Sequence, residues 1–90
     1  MLILNLTHQA KDFLDRLDPK QFRQVVKKIF ALMENPRLSD SKPLQGHPFW
    51  RADSGEYRII YRSEENCLKV VLIDKRNDDE IYRKLNRISL

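Results

Sequence analysis

Ninety residues carry 17 Lys and Arg against 13 Asp and Glu, a formal excess of four positive charges, with 41% apolar residues and only two glycines. This composition describes one globular domain spanning residues 1–90 and excludes a low-complexity or disordered chain. One cysteine, Cys67, rules out an internal disulfide, and one Cys with two distant His offers no metal site.

The elements follow in chain order. Residues 2–6 are predicted as a short strand, too short and too quickly polar for a secretory leader or a membrane span; the expected location is cytoplasmic. Thr7 is placed to cap a helix with Ala10, Phe13, Leu14 and Leu17 at spacings of three and four. "DPKQ" at 18–21 restarts the helix, with Asp18 as N-cap and Pro19 at the first helical position. The second helix puts Phe22, Val25, Val26, Ile29, Leu32 and Met33 on one face and stops before Pro36. Its opposite stripe, Lys20, Arg23, Lys27 and Lys28, reads as a solvated face, with docking onto structured RNA as the functional alternative.

After the loop at 36–48 the period changes to two. Strands are expected at 48–53, 56–62 and 67–74, joined as a meander by turns at Ser54-Gly55 and at 63–66. "CLKVVLID" is apolar on both faces except at Lys69, which suits a strand inside the sheet. Asn77 caps a last helix over 77–88, acidic in its first turn and basic in its last, with Ile81, Leu85 and Ile88 as packing stripe and Tyr82 at its edge. The expected class is α+β: a small antiparallel sheet with the N-terminal helical hairpin on one face and the other face open.

A Ser54-Gly55 turn sets Arg51 opposite Arg58, an arrangement of like charges that normally weakens a strand pair. Alternation adds Arg62 to the same face, and Lys75 and Arg76 end the neighbouring strand. Guanidinium groups so gathered suit an anion, phosphate above all, which their planar fork binds through two oxygens. The competing reading is that they splay into water. Trp50 is expected to pack against the helices, Cys67 to fill a strand position, and His8 and His47, which lack a partner at catalytic spacing, to be ordinary surface residues.

"KPLQG" at 42–46, "FWRADSGEYRIIY" at 49–61 and "DKRNDDEIY" at 74–82 together resemble the RelE/ParE superfamily of bacterial toxin–antitoxin toxins, over roughly residues 2–88. The resemblance implies a RelE-like fold of order β-α-α-β-β-β-α. For the nuclease members it implies cleavage of mRNA in the ribosomal A site by attack of a 2′-hydroxyl on the adjacent phosphodiester, without metal or cofactor. It also implies a cognate antitoxin, whose complex with the toxin binds its operator DNA through the antitoxin. On the matching positions, Arg58, Arg76 and Tyr82 become the catalytic set, with Tyr82 either the base or a base-stacking group. Arg51, Arg62 and Lys75 become substrate-binding residues. Nuclease members carry a further basic group two positions beyond the Arg51 site, where this chain has Asp53; some place a histidine near the C-terminus, where this chain has none. The alternatives are a ParE-like inhibitor of DNA gyrase that does not cut, and a plain RNA- or partner-binding domain.

Overall fold

Local chemistry sets where each helix begins. The Thr7 hydroxyl accepts a bond from the Ala10 amide and opens α1 (His8–Asp15); the Asp18 carboxylate accepts one from Gln21 and opens α2 (Pro19–Glu34). Each cap satisfies an amide that the first helical turn leaves without a partner. This computed structural model describes residues 1–87, so Ile88, expected on the last packing stripe, lies outside the described residues. Ahead of α1 runs β1 (Ile3–Leu6); after α2 come β2 (Lys42–Pro43), β3 (Trp50–Ser54), β4 (Tyr57–Glu64), β5 (Cys67–Lys75) and α3 (Asp78–Leu85).

The α+β class and the order of elements are as the sequence predicts, with two refinements. The sheet has five strands, in the order β1-β5-β4-β3-β2. It is mixed, because β1 runs parallel to β5, pairing Ile3 with Cys67 and Leu6 with Val70. A parallel partner follows from the helical hairpin, which returns the chain across the sheet before the meander starts. The added β2 is two residues long and pairs Lys42 with Arg51. β5 sits inside the sheet, between β1 and β4.

Beyond β1 the outer edge of β5 is closed by side chains of the β1–α1 junction. The Thr7 hydroxyl donates to the Val71 carbonyl, and the Gln9 amide both donates to the Ile73 carbonyl and accepts from the Ile73 amide, at 2.8 and 3.0 Å. One glutamine thus does what a neighbouring strand would do, at an edge that would otherwise present unpaired groups.

The β3–β4 turn differs from expectation. Its two-residue loop is Gly55-Glu56, so Ser54 faces Tyr57, Asp53 faces Arg58, and Arg51 faces Ile60. Gly55 adopts φ +60, the positive value a hairpin of this kind needs at its first loop position. The arginines are therefore not opposite each other: Arg58 meets an acid. Because the register moves by an even number of residues, Arg51, Arg58 and Arg62 still share one face.

Two apolar clusters lie on the two sides of the sheet. The larger joins Ala10, Leu14, Val25, Ile29 and Leu32 of the hairpin to Ala52, Tyr57, Ile59, Tyr61, Leu68, Val70 and Ile73, with Trp50 packed at its margin. Arg37 lies over the Trp50 ring at 3.9 Å, so this indole is engaged by the core and a cation, as packing predicts. On the other side, Ile81 and Leu85 of α3 cover Leu44, Phe49, Ile60, Val71 and Leu72. The second face is therefore open only in part.

Candidate functional site

Four segments meet where the β3–β4 hairpin, the end of β5 and the start of α3 come together. The Arg76 amide donates to the Glu56 carbonyl in the hairpin turn, and the Asn77 side chain caps α3 immediately afterwards. These two bonds fix the helix start against the hairpin, and they bring Asp53, Arg58, Arg76 and Asp78 into one network.

At its centre is Arg58, only 8% exposed. Its Nε donates to Asp53 Oδ1 at 2.8 Å, and its terminal nitrogen Nη1 bonds the Asp78 carboxylate. Arg76, half exposed, reaches the second oxygen of the same Asp53 at 3.3 Å. Two guanidinium groups thus converge on one carboxylate. Burial alone would raise the Asp53 carboxyl, but the Arg58 bond and the charges of Arg58, Arg76 and Arg51 outweigh it and hold the group below its ordinary value. In return the Asp53 bond raises Arg58 further, against the cost of burying it.

Around this centre the sequence-predicted residues divide. Arg51 stands on the same face one alternation from Asp53, half-buried. Arg62 also lies on that face, two alternations from Arg58, where it pairs with Glu64. Lys75 is not brought to the cluster: it faces Tyr57, so alternation puts it on the side of the helical hairpin. The residue on the arginine face at that end of β5 is Asp74, opposite Arg58 and paired with Lys84 of α3. Two residues of the α2 stripe, Lys27 and Lys28, border the Asp53 end of the network. Gln24, Lys27 and Lys28 line a shallow cleft of about 350 Å³ with Asp53, Ser54 and Gly55, and Lys28 pairs with Asp40.

Tyr82 follows Asp78 by four residues, so both lie on one side of α3. It packs on the Ile60–Phe49–Ile81 cluster, and its ring centroid is 5.4 Å from that of His47. His47 in turn stacks on Phe49, 6.3 Å between centroids and 14° between planes. His47 belongs, then, to the surroundings of Tyr82, which sequence spacing did not reveal; the two are 35 positions apart. In the sequence Asp53 stands out only as a departure from a basic pattern. Its five-residue separation from Arg58 becomes that of a cross-strand pair only once the two-residue turn is placed at Gly55-Glu56. Among the described residues no group of His, Cys, Asp or Glu is arranged to hold a metal ion, and no helix is long and apolar enough to cross a membrane.

The sequence matches the family model described as the ParE toxin of the type II toxin–antitoxin system parDE, over residues 4–80. Among solved structures, the isolated E. coli RelE toxin superposes with a TM-score of 0.74 at 22% identity, covering 97% of each chain. The RelBE2 toxin–antitoxin complex of Mycobacterium tuberculosis contains a chain with TM-score 0.72 at 28% identity, covering 83% of this chain and 98% of that one. A YoeB/ParE toxin from Agrobacterium tumefaciens gives 0.70 at 24%, covering 86% and 100%. A curated protein, the serine/threonine-protein kinase TEL1 of Debaryomyces hansenii, is 33% identical over 72 residues, but this chain spans only 2% of its length. With the matched model covering most of the chain and RelE toxins sharing its fold, the protein belongs to the ParE toxin family of type II toxin–antitoxin systems, within the RelE/ParE superfamily.

Proposed function

We propose that this toxin is a ribosome-dependent endoribonuclease that cuts mRNA in the ribosomal A site and so inhibits translation. The observation that carries the reading is the convergence of Arg58 and Arg76 on one carboxylate. The Asp53 carboxylate offers the two guanidinium groups a pair of anionic oxygens, and a phosphodiester offers such a pair in its two non-bridging oxygens. In the reaction the 2′-oxygen attacks the adjacent phosphorus, the bond to the 5′-oxygen breaks, and a 2′,3′-cyclic phosphate and a 5′-hydroxyl result. The cations oppose the charge that builds on the phosphorane; removing one such contact costs on the order of 10²–10³ in rate. Arg76, the exposed member, exchanges Asp53 for substrate with the least disturbance, while Arg58 stays anchored and lends its charge. Arg51 and Arg62 extend the cationic surface along the strands, and Tyr82 supplies a stacking face or a proton acceptor.

Mapping 5′ ends on ribosomes stalled on a defined mRNA tests this. New ends inside the A-site codon, absent on naked mRNA and lost in Arg76→Ala, are expected. A second reading is inhibition of DNA gyrase without cleavage. It is favoured by the neutralisation of Arg58 and Arg76 within the fold and by the ParE description of the matching model. Intact mRNA at stoichiometric toxin, together with blocked supercoiling by purified gyrase, would select it. Under either reading a cognate antitoxin silences the toxin in the cytoplasm, and the complex of the two binds its operator DNA through the antitoxin.

A further inference from the structure

The loop between β2 and β3 is built to hold one side chain in place. Leu44 to His47 forms a tight turn, with the His47 amide donating to the Leu44 carbonyl at 3.2 Å and Gly46 at φ +79 in the third position, where a turn of this type demands a positive angle. The Leu44 amide donates to the Phe49 carbonyl at 2.8 Å and closes the loop. Leu44 and Phe49, both at most 5% exposed, root its two ends in the α3-side cluster. Pro48, between His47 and Phe49, restricts the backbone still further. What this loop presents is the His47 imidazole, nearly parallel to the Phe49 ring and 5.4 Å from the Tyr82 ring between centroids.

We infer that His47 is a positioning residue for Tyr82, and that the 44–49 loop is the second wall of the site whose first wall is α3. A partly buried tyrosine at the edge of a helix's packing face has more than one staggered side-chain rotamer open to it. A ring held against it from a fixed loop selects among them, and aromatic pairs at this separation favour defined mutual orientations. Phe49, His47 and Tyr82 thus form a group of rings rooted at the buried Phe49, and Tyr82 lies one helical turn beyond Asp78, the partner of Arg58. Arg51 follows Phe49 by two positions on the same face of the sheet, so the rings and the arginines border one surface.

The inference rests on the nuclease reading for one of its two measurements. In the ribosome assay, His47→Ala is expected to lower the cleavage rate about tenfold, and His47→Phe, which restores a ring, to recover it to within about threefold of the wild type. In a Tyr82→Ala background His47→Ala adds no further loss, because its effect runs through that ring. The second measurement needs no substrate: ring signals of labelled tyrosine in the free toxin. Tyr82 shifts toward its solvent-exposed value in His47→Ala and stays near its wild-type position in His47→Phe, with the other tyrosines unmoved. A cleavage loss that multiplies in the double variant, or Tyr82 signals that ignore His47→Ala, overturns the inference. Should the wild type cut no mRNA, the nuclease reading fails by itself and the tyrosine signals alone decide the role of His47.

Discussion

The two sides of one sheet are made from different materials. Against the helical hairpin, Val25, Ile29, Leu32, Ile59, Tyr61, Leu68, Val70 and Ile73 are at most 1% exposed, and the one hydroxyl among them, on Tyr61, is satisfied by the Pro36 carbonyl at 2.6 Å. Against α3 the apolar cluster is smaller, and a network of arginines and aspartates continues where it ends. The first side is held by burial, which is indifferent to direction; the second depends on bonds between particular atoms. A change on the first side is therefore expected to remove the fold, and a change on the second to remove chiefly the activity.

Four substitutions or conditions probe that division. Ile59→Ala or Leu32→Ala opens a cavity in the larger cluster and is expected to cost about 2–5 kcal/mol in urea unfolding, with growth inhibition lost because the fold is lost. Arg58→Ala removes a buried guanidinium that ties β3, β4 and α3 together. Since its partners Asp53 and Asp78 keep access to water, the expected cost is about 2 kcal/mol rather than that of a fully enclosed pair, and growth inhibition disappears while the chain still folds. Arg76→Ala should leave the unfolding free energy within about 0.5 kcal/mol and yet abolish growth inhibition. Unchanged growth inhibition in that variant would remove Arg76 from the site and with it the proposed division of labour between the two faces.

The fourth probe is acid. Asp53 is held below its ordinary carboxyl value of 3.8 in the folded chain, so on acidification the unfolded chain binds this proton first. Its contribution to stability is complete above that ordinary value and fades as pH falls through the lowered folded one. Urea midpoints measured from about pH 6 to pH 2 should therefore fall less steeply in Asp53→Asn than in the wild type.

How much of this was legible in the sequence depended on the range of the interaction. Thr7, Asp18 and Asn77 announced the helix starts because a cap acts over three residues. The two-residue hairpin was legible as a hairpin, but Ser54-Gly55 and Gly55-Glu56 both satisfy the rule for its tip. What selects the second is tertiary: it brings Asp53 to Arg58, and it lets the Ser54 hydroxyl donate to the Gln24 carbonyl on α2 at 3.3 Å. The parallel pairing of β1 with β5 joins segments more than 60 residues apart, and four residues carry too little pattern to name their partner. Arg51, Arg58 and Arg62 were legible as one face because alternation survives an even slip of register. Lys75 was not, since its placement depends on β5's register with β4, where a bulge between Ile60 and Tyr61 interrupts the pairing. His47 beside Tyr82 was beyond any local rule.

The Gln9 side chain that closes the edge of β5 has a consequence for how motion in this protein can be timed. The Ile73 amide is withheld from solvent by an atom belonging to α1, so the amide exchanges its hydrogen when α1 lifts from the sheet, even while β4 and β5 remain paired. Deuterium uptake at that single position becomes a clock for helix undocking, set apart from the melting of the strands. In Gln9→Ala the clock should run fast while Ile59, bonded within the meander, keeps its wild-type protection. The motion of the hairpin and the integrity of the sheet can then be read separately from one spectrum.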